Sequence, residues 1–503
     1  MSFFGIIKDT FNIIKSIFPK LTGDILIYGV GGSFAQIIGL ITLPIITRIL
    51  VASEMGTVDV VNATTGYFSA LISLNIAAGL MRNFFEVPAE NITERKKLVS
   101  SLIWFTIIFG GLVVLFGIAI SSKLSAMLFD DTQYSLAISL ALASLPFIIL
   151  KNIFSNIFRM QRKPVSYLVL NTVYAILNFF LILLFVVPLK MHITGIFAAQ
   201  VIASFIIAIV SAWYCREFIK LTFSIKSFTN MAAYGLPMMP GSIFQWGMVS
   251  INRILLTQYT DTSQIAYYGV ALKAAKIIEL AVTSFTLAWE PFFLAHINSE
   301  SFHQKLNKAL WYFALTALFL AAVVAVYSKE FFRILAPVEY QVGAVLVGIL
   351  CLRQVFFGSS YIIGAGVIQQ KKTYLISLSL GFGIAATIGM GFLLMPKFGI
   401  VGAALADLTG EMVNVITYFI FSNRLKKIPW NLRRVGLAIF GYIILWILTI
   451  GIRIQNLYID FGIRSFLLTL YILFLFVIVD RGAIIRDVWI NIKNRYFKPE
   501  LIN

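Results

Sequence analysis

The chain has 503 residues and a formal net charge of +18, yet only 12% of its residues are charged and 59% are hydrophobic. Soluble proteins carry about twice that charged fraction, so the composition excludes an ordinary water-soluble fold and makes lipid the natural solvent. The positive charge does not indicate nucleic acid, because the basic residues sit in short clusters between apolar runs and form no continuous stripe.

Residues 1–22 alternate apolar and basic side chains at roughly helical spacing. They lack the basic start, long apolar stretch and small-residue cleavage site of a secretory signal, and predict an amphipathic helix on the inner membrane surface. About fourteen mainly apolar segments follow, each long enough to span a bilayer. They lie near 25–47, 57–81, 98–121, 134–157, 165–188, 193–214, 231–256, 263–289, 307–327, 341–366, 373–395, 399–421, 432–452 and 462–480. The expected fold class is therefore an all-α integral membrane protein. The connecting loops are short and leave no room for an extramembrane catalytic domain. No GxxxxGK[ST] pattern is present, so ATP hydrolysis by this chain is not expected. Cys215 and Cys351 exclude a disulfide framework, and His192, His296 and His303 lack zinc-ligand spacing. No metal or organic cofactor is expected.

Alternate loops differ sharply in charge. One side receives the N-terminus, Arg82/Arg95/Lys96/Lys97, Lys151/Arg159/Arg162/Lys163, Arg216/Lys220/Lys226, Lys305/Lys308, Lys371/Lys372, the cluster from Arg424 to Arg434 and the C-terminus. The positive-inside tendency then predicts a multi-pass protein of the cell membrane with both termini in the cytoplasm.

The chain also repeats itself. Tyr28-Gly29 returns as Tyr234-Gly235, and Ile46-Thr47-Arg48-Ile49-Leu50 as Ile251-Asn252-Arg253-Ile254-Leu255. Gln161-Arg162-Lys163 returns as Gln370-Lys371-Lys372, and Gly195-Ile196-Phe197-Ala198-Ala199 resembles Gly399-Ile400-Val401-Gly402-Ala403-Ala404. The offsets stay between 204 and 209 residues. Two parallel six-helix copies are implied, an N-terminal lobe over 23–222 and a C-terminal lobe over 223–424, with two more helices and a tail over 425–503. Duplicated halves of this kind are a transporter architecture in which rocking gives alternating access.

The six-six-two arrangement, with the pattern Arg48-Ile-Leu-Val-Ala-Ser-Glu54-Met-Gly56 after the first span, resembles the Wzx-type polysaccharide flippases of the multidrug/oligosaccharidyl-lipid/polysaccharide exporter superfamily. The second copy carries a looser version, Arg253-Ile-Leu-Leu-Thr-Gln-Tyr-Thr-Asp261 followed by Ala266-Tyr267-Tyr268-Gly269. Family members often have Pro and an aromatic where this chain has Ala52 and Met55. The resemblance implies a two-lobed fold with a solvent-filled cavity that turns over polyprenyl-diphosphate-linked oligosaccharide from the inner to the outer leaflet, often driven by an ion gradient. It also implies membrane lipids, a polysaccharide polymerase and glycosyltransferases as pathway partners, and a monomeric protein that binds no nucleic acid.

Charges within the apolar segments carry the functional expectation. Lys273, Lys276 and Arg353 fall deep within their spans, where each cation facing lipid costs about 2.5–3.5 kcal/mol. They are expected to face a cavity or acidic partners. Lys273 and Lys276, three apart on one helix face, suit an anionic diphosphate headgroup, with Arg48 and Arg253 as equivalent outer contacts. The alternatives are pairing of Lys276 with Glu279, pairing of Lys273 or Arg353 with Asp407 or Glu411, and snorkelling of the two outer arginines. Asp407 and Glu411, an i,i+4 pair, would disfavour double ionisation and so suit coupling to H⁺ or Na⁺, or else a salt bridge between helices. Gln36, Asn75, Asn178 and Gln245 are mid-span polar groups for helix–helix bonding or sugar contact. Pro237 and Pro240 should kink the seventh span and serve as a hinge or a local reshaping.

Two other activities fit a polytopic membrane chain. A drug or cation antiporter of the same superfamily would be repelled from its substrates by Lys273, Lys276 and Arg353. A membrane-embedded polymerase or ligase would be expected to carry a large outer loop. No enzymatic activity is therefore expected.

Overall fold

The computed structural model describes residues 38–475, apart from 89, 162, 297–301, 371, 373 and 453–455. Segment 1–22, Gln36 and the tail beyond 475 lie outside the described residues. Every regular element among those described is helical, and helices cover most of the described part of each segment expected to span. Among the described residues, nine helical stretches are long and apolar enough to cross a membrane.

The elements follow in chain order. The first are α1 (Ile38–Ile49), α2 (Ala52–Ser73), α3 (Ile76–Glu86), α4 (Ile92–Ala119), α5 (Ser121–Phe129), α6 (Ser135–Met160), α7 (Pro164–Val186) and α8 (His192–Tyr214). Next come α9 (Ile225–Leu256), α10 (Thr262–Ala275), α11 (Ile277–His296), α12 (Phe302–Val326) and α13 (Ser328–Leu335). The last are α14 (Leu346–Ile363), α15 (Ala365–Gln369), α16 (Tyr374–Leu425), α17 (Leu432–Gly451) and α18 (Leu457–Leu473).

Local chemistry sets several of these ends. The Asn91 side chain accepts from the Glu94 backbone N–H at 3.2 Å and opens α4, and Ser224 does the same for Ser227 at the start of α9. Pro164 begins α7 at the position where its missing N–H costs nothing. The 52-residue run of α16 is two helices joined at Gly399, whose φ of 52° and ψ of −126° lie outside the helical region. Pro396 removes a donor just before it, and Gly399 tolerates the positive φ. The break matches the expected boundary between spans 373–395 and 399–421.

The duplication shows in the helix starts. The starts at 52, 92 and 164 recur at 262, 302 and 374, a constant 210 residues later. Each of α2 and α10 also ends in a break, at Leu74 and Asn75 and at Lys276, although these breaks lie outside the 210-residue register. The short helix α5 after α4 has its counterpart in α13 after α12. The segments 57–81 and 263–289, expected as single spans, are thus each two helices.

Compactness divides the chain into two units. The first comprises Met1–Val270, Ile334–Tyr340 and Thr373–Asn414. Within it α6 packs against α8, α4 and α2, and α9 lies along α2 and α3. The glycines of the duplicated motif meet across α2 and α10. A Cβ on Gly56 would sit 1.7 Å from the Thr262 carbonyl oxygen, and one on Gly269 would sit 1.8 Å from an Asp59 carboxylate oxygen. Only glycine allows these two helices so close. Ile108, Leu112 and Leu115 of α4 are each more than 60% exposed, an outward apolar face that lipid would cover.

The second unit comprises Ala271–Arg333, Gln341–Lys372 and Val415–Asn503. Its centre is α12, packed against α14, α17 and α18. Tyr442 donates to the Gly348 carbonyl at 2.8 Å, and Tyr471 donates to that of Ala438 at 3.1 Å, so both buried phenols are satisfied. Arg464 of α18 is 2% exposed. Its Nε lies 3.1 Å from Asp460 and its Nη1 lies 3.9 Å from Glu330. The same Nη1 donates to the Val326 carbonyl at 3.2 Å, which fastens α18 to the end of α12.

Candidate transport site

A buried polar cluster in the first unit is built by α9, α10 and α16. Asn252 of α9 uses its side-chain amide twice, donating to Asp407 Oδ1 at 2.7 Å and to the Ala403 carbonyl at 3.0 Å. Tyr268 of α10 donates its hydroxyl to Asp407 Oδ2. One turn further along α16, Asn414 donates to Glu411 Oε1 at 2.9 Å. Asp407 is 2% exposed, Glu411 0%, Asn252 1% and Tyr268 0%. Both oxygens of Asp407 therefore accept hydrogen bonds in a water-poor setting. The Asn252 Oδ1 atom is buried with no hydrogen-bond partner, so an acceptor without a donor sits beside the carboxylate. Burying a polar atom in this state costs free energy unless a proton or cation joins it.

Close helix packing holds this cluster in place. A Cβ on Gly410 would lie 1.8 Å from Thr387 Oγ1, and one on Gly383 would lie 2.9 Å from the Asn414 Cβ. The two arms of α16 are thus drawn together around Asp407, Glu411 and Asn414.

Arg48 and Arg253 behave differently from each other. Arg48 is exposed and donates from Nη1 to Pro44 O at 2.7 Å and from Nη2 to Ile334 O at 3.1 Å. Thr47 donates to the adjacent Leu335 carbonyl at 3.0 Å. Together they satisfy carbonyls at the end of α13, which have no intrahelical donor. Arg253 is half-buried, and its Nε has no hydrogen-bond partner.

The remaining expected residues of this unit are scattered. Asn75 sits at the α2–α3 break with φ 54°, in the left-handed region that Asn tolerates. Gln245 and Asn178 are half-buried, and Asn178 Oδ1 has no hydrogen-bond partner. Pro237 and Pro240 lie inside α9, which continues through both. Each removes a donor, so the carbonyls of Ala233 and Leu236 lose their usual helical partners.

In the second unit, Lys273 is half-buried in the last turn of α10, and Lys276 is exposed at the turn before α11. The Lys276 N–H still bonds the Leu272 carbonyl at 3.0 Å, and the Glu279 N–H bonds the Lys276 carbonyl at 2.9 Å. The two lysines therefore keep one helical turn between them. Lys273 at a helix C-terminus and Glu279 at a helix N-terminus both complement the helix dipoles. Arg353 is 4% exposed within α14.

Several polar residues were not anticipated. Asn252, Tyr268 and Asn414 complete the carboxylate cluster; Asn252 and Tyr268 lie in the repeated motifs, but the motifs gave them no role. Lys151, counted above with a basic loop, lies inside α6 and is 7% exposed. Its place within segment 134–157 was the available signal. Asp460 and Arg464 are an i,i+4 pair of opposite charge, a pattern readable in the sequence.

The fold and its buried charges define a polytopic α-helical membrane protein. A family model described as polysaccharide biosynthesis protein matches residues 21–297, and the chain belongs to that family. It is 23% identical over 396 residues to a Shigella flexneri protein named "Putative O-antigen transporter", covering 75% of this chain and 91% of that one. It is 26% identical over 224 residues to an uncharacterized membrane protein of Methanocaldococcus jannaschii, covering 41% and 42% of the two chains. Among solved structures, the lipid II flippase MurJ in an inward closed conformation superposes with a TM-score of 0.70 at 16% identity, over 91% of this chain and 100% of that one. An inward-facing MATE multidrug transporter of the MOP superfamily superposes with a TM-score of 0.67 at 14% identity, over 78% and 94%. At such identities the structures share the fold.

Proposed function

We propose that this chain moves a polyprenyl-diphosphate-linked oligosaccharide from the inner to the outer leaflet of the cell membrane for cell-surface polysaccharide synthesis. The observation that carries this reading is the family membership together with the match over 91% of a relative named as an O-antigen transporter. In this reading, the halves 23–222 and 223–424 rock about a central path, helices beyond 425 contact lipid, and both termini are cytoplasmic. The chain acts as a monomer and receives substrate from glycosyltransferases and passes it to a polymerase.

Lys273 and Lys276 hold the diphosphate, with Arg353, Arg253 and Arg48 as further contacts. The two ammonium groups repel each other at that spacing, and a dianion relieves the repulsion. Gln245, Asn178, Asn75 and Gln36 offer hydrogen bonds to sugar hydroxyls. Pro237 and Pro240 make α9 the pliant element. Asp407 and Glu411 take up H⁺ or Na⁺, which supplies the driving force, and Glu279 balances the lysines when substrate is absent. The buried Asn252 Oδ1 without a donor supports the uptake of a cation at Asp407.

The test is turnover of a fluorescent lipid-linked oligosaccharide in proteoliposomes by the chain carrying Lys273→Ala and Lys276→Ala. Loss of turnover with unchanged membrane abundance is expected. Turnover equal to that of the unaltered chain removes the two lysines from the mechanism.

A further inference from the structure

Lys151 stands in the interior of α6, nine residues or roughly 13 Å before the helix ends. Its Nζ donates to Asn171 Oδ1 of α7 at 3.0 Å and lies 4.8 Å from the centroid of the Tyr174 ring. The holder is itself fixed. Asn171 spends its amide protons on Ser155 Oγ at 2.9 Å and on the Tyr167 carbonyl at 2.8 Å, so its Oδ1 is oriented to receive the lysine. Among the described residues no carboxylate lies within ion-pair distance of Lys151.

A hydrogen bond to Asn171 does not require a charge. A serine or glutamine would make one without the cost of about 2.5–3.5 kcal/mol that a lysine incurs at the centre of a spanning helix. The ammonium also has three donors. One goes to Asn171 and one faces the ring, which leaves a third for another acceptor. A buried cation held in a prepared position, facing acceptors that are all neutral, is completed by an anion.

We propose that Lys151, positioned by Asn171 and Tyr174, is an oxyanion-binding site in the first half of the chain. Its ligand is an anionic group of the transported molecule: a phosphate of the lipid headgroup or a carboxylate of an acidic sugar. The inference rests on the reading that the substrate is a lipid-linked saccharide.

The test is equilibrium binding to the full chain in nanodiscs, with farnesyl diphosphate and glucuronate as probes and farnesol and glucose as neutral controls. Lys151→Gln should weaken one anionic probe by about tenfold or more, the worth of a charge-assisted bond. Lys151→Arg should restore most of the affinity, and the neutral controls should not respond. Loss confined to farnesyl diphosphate assigns the headgroup, and loss confined to glucuronate assigns the sugar.

Asn171→Asp supplies a second variant in case Lys151→Gln does not fold. It sets a carboxylate against the lysine, so anion binding should fall, although the donations to Ser155 Oγ and the Tyr167 carbonyl are lost with the amide. Unchanged binding of both anions in these variants, or no binding by the unaltered chain, overturns the assignment. Failure of lipid-linked sugar turnover with anion binding intact would instead count against the proposed transport function alone.

Discussion

Tyr268 gives its hydroxyl proton to the carboxylate of Asp407, while Asn252 holds the other oxygen of the same group at 2.7 Å. Two consecutive helices, α9 and α10, therefore converge on one buried acid that lies 155 and 139 residues further along the chain. If Asp407 takes up the coupling ion, its neutral isostere should uncouple transport without unfolding the protein. Asp407→Asn is expected to cut gradient-driven turnover by about tenfold or more, with membrane abundance retained. Tyr268→Phe should produce a smaller loss and a shifted pH dependence. Turnover by Asp407→Asn that still follows the gradient would move the coupling role elsewhere.

Arg464 offers a test of stability. It is buried between Asp460 and Glu330, and removing one member of such a set strands the others. Arg464→Met should lower the unfolding free energy in detergent by about 3–5 kcal/mol. The triple variant Arg464→Met, Asp460→Asn, Glu330→Gln should recover most of that loss, because no uncompensated charge then remains. Thermal unfolding of the purified variants distinguishes the two outcomes. Equal stability of the single variant and the parent would show that the ion pairs contribute little.

Cys215 follows the end of α8 and is 3% exposed. Burial pushes its thiol up to about 12, against a smaller opposing pull from Lys163. The raised value means that the folded state disfavours the thiolate. The associated stability is fully present below the unfolded thiol's value, near 8.5, and is lost as pH rises from there toward 12. In a Cys351→Ala background, maleimide labelling at pH 8 should be far slower for the folded chain than for the SDS-unfolded chain. Rapid labelling of the folded chain would contradict the burial.

The sequence made the helices and the duplication legible because both are written in local chemistry. Apolar run length carries the helices and short repeated motifs carry the duplication, and each acts within a few residues of where it is read. The breaks at Leu74–Asn75 and at Lys276 escaped notice, since neither contains proline or glycine and the apolar pattern continues through them. Asp407 and Glu411 stood out as charges in an apolar run. Their partners Asn252, Tyr268 and Asn414 did not, because a neutral polar residue in a spanning helix becomes informative only when its neighbour across the bundle is known. Lys151 shows the reverse case. Its charge was visible, but its proximity to Arg159, Arg162 and Lys163 in the chain grouped it with a basic loop, whereas the helix carries it into the interior.

The account depends most on what the chain transports. Proteoliposomes containing the purified chain and a fluorescent polyprenyl-diphosphate-linked oligosaccharide should expose the sugar to a membrane-impermeant lectin faster than protein-free vesicles do. The rate should rise with an imposed H⁺ or Na⁺ gradient, and a cationic dye offered to the same vesicles should not be moved. Sugar exposure no faster than in protein-free vesicles, together with gradient-driven movement of the dye, would contradict the flippase reading and favour a drug antiporter.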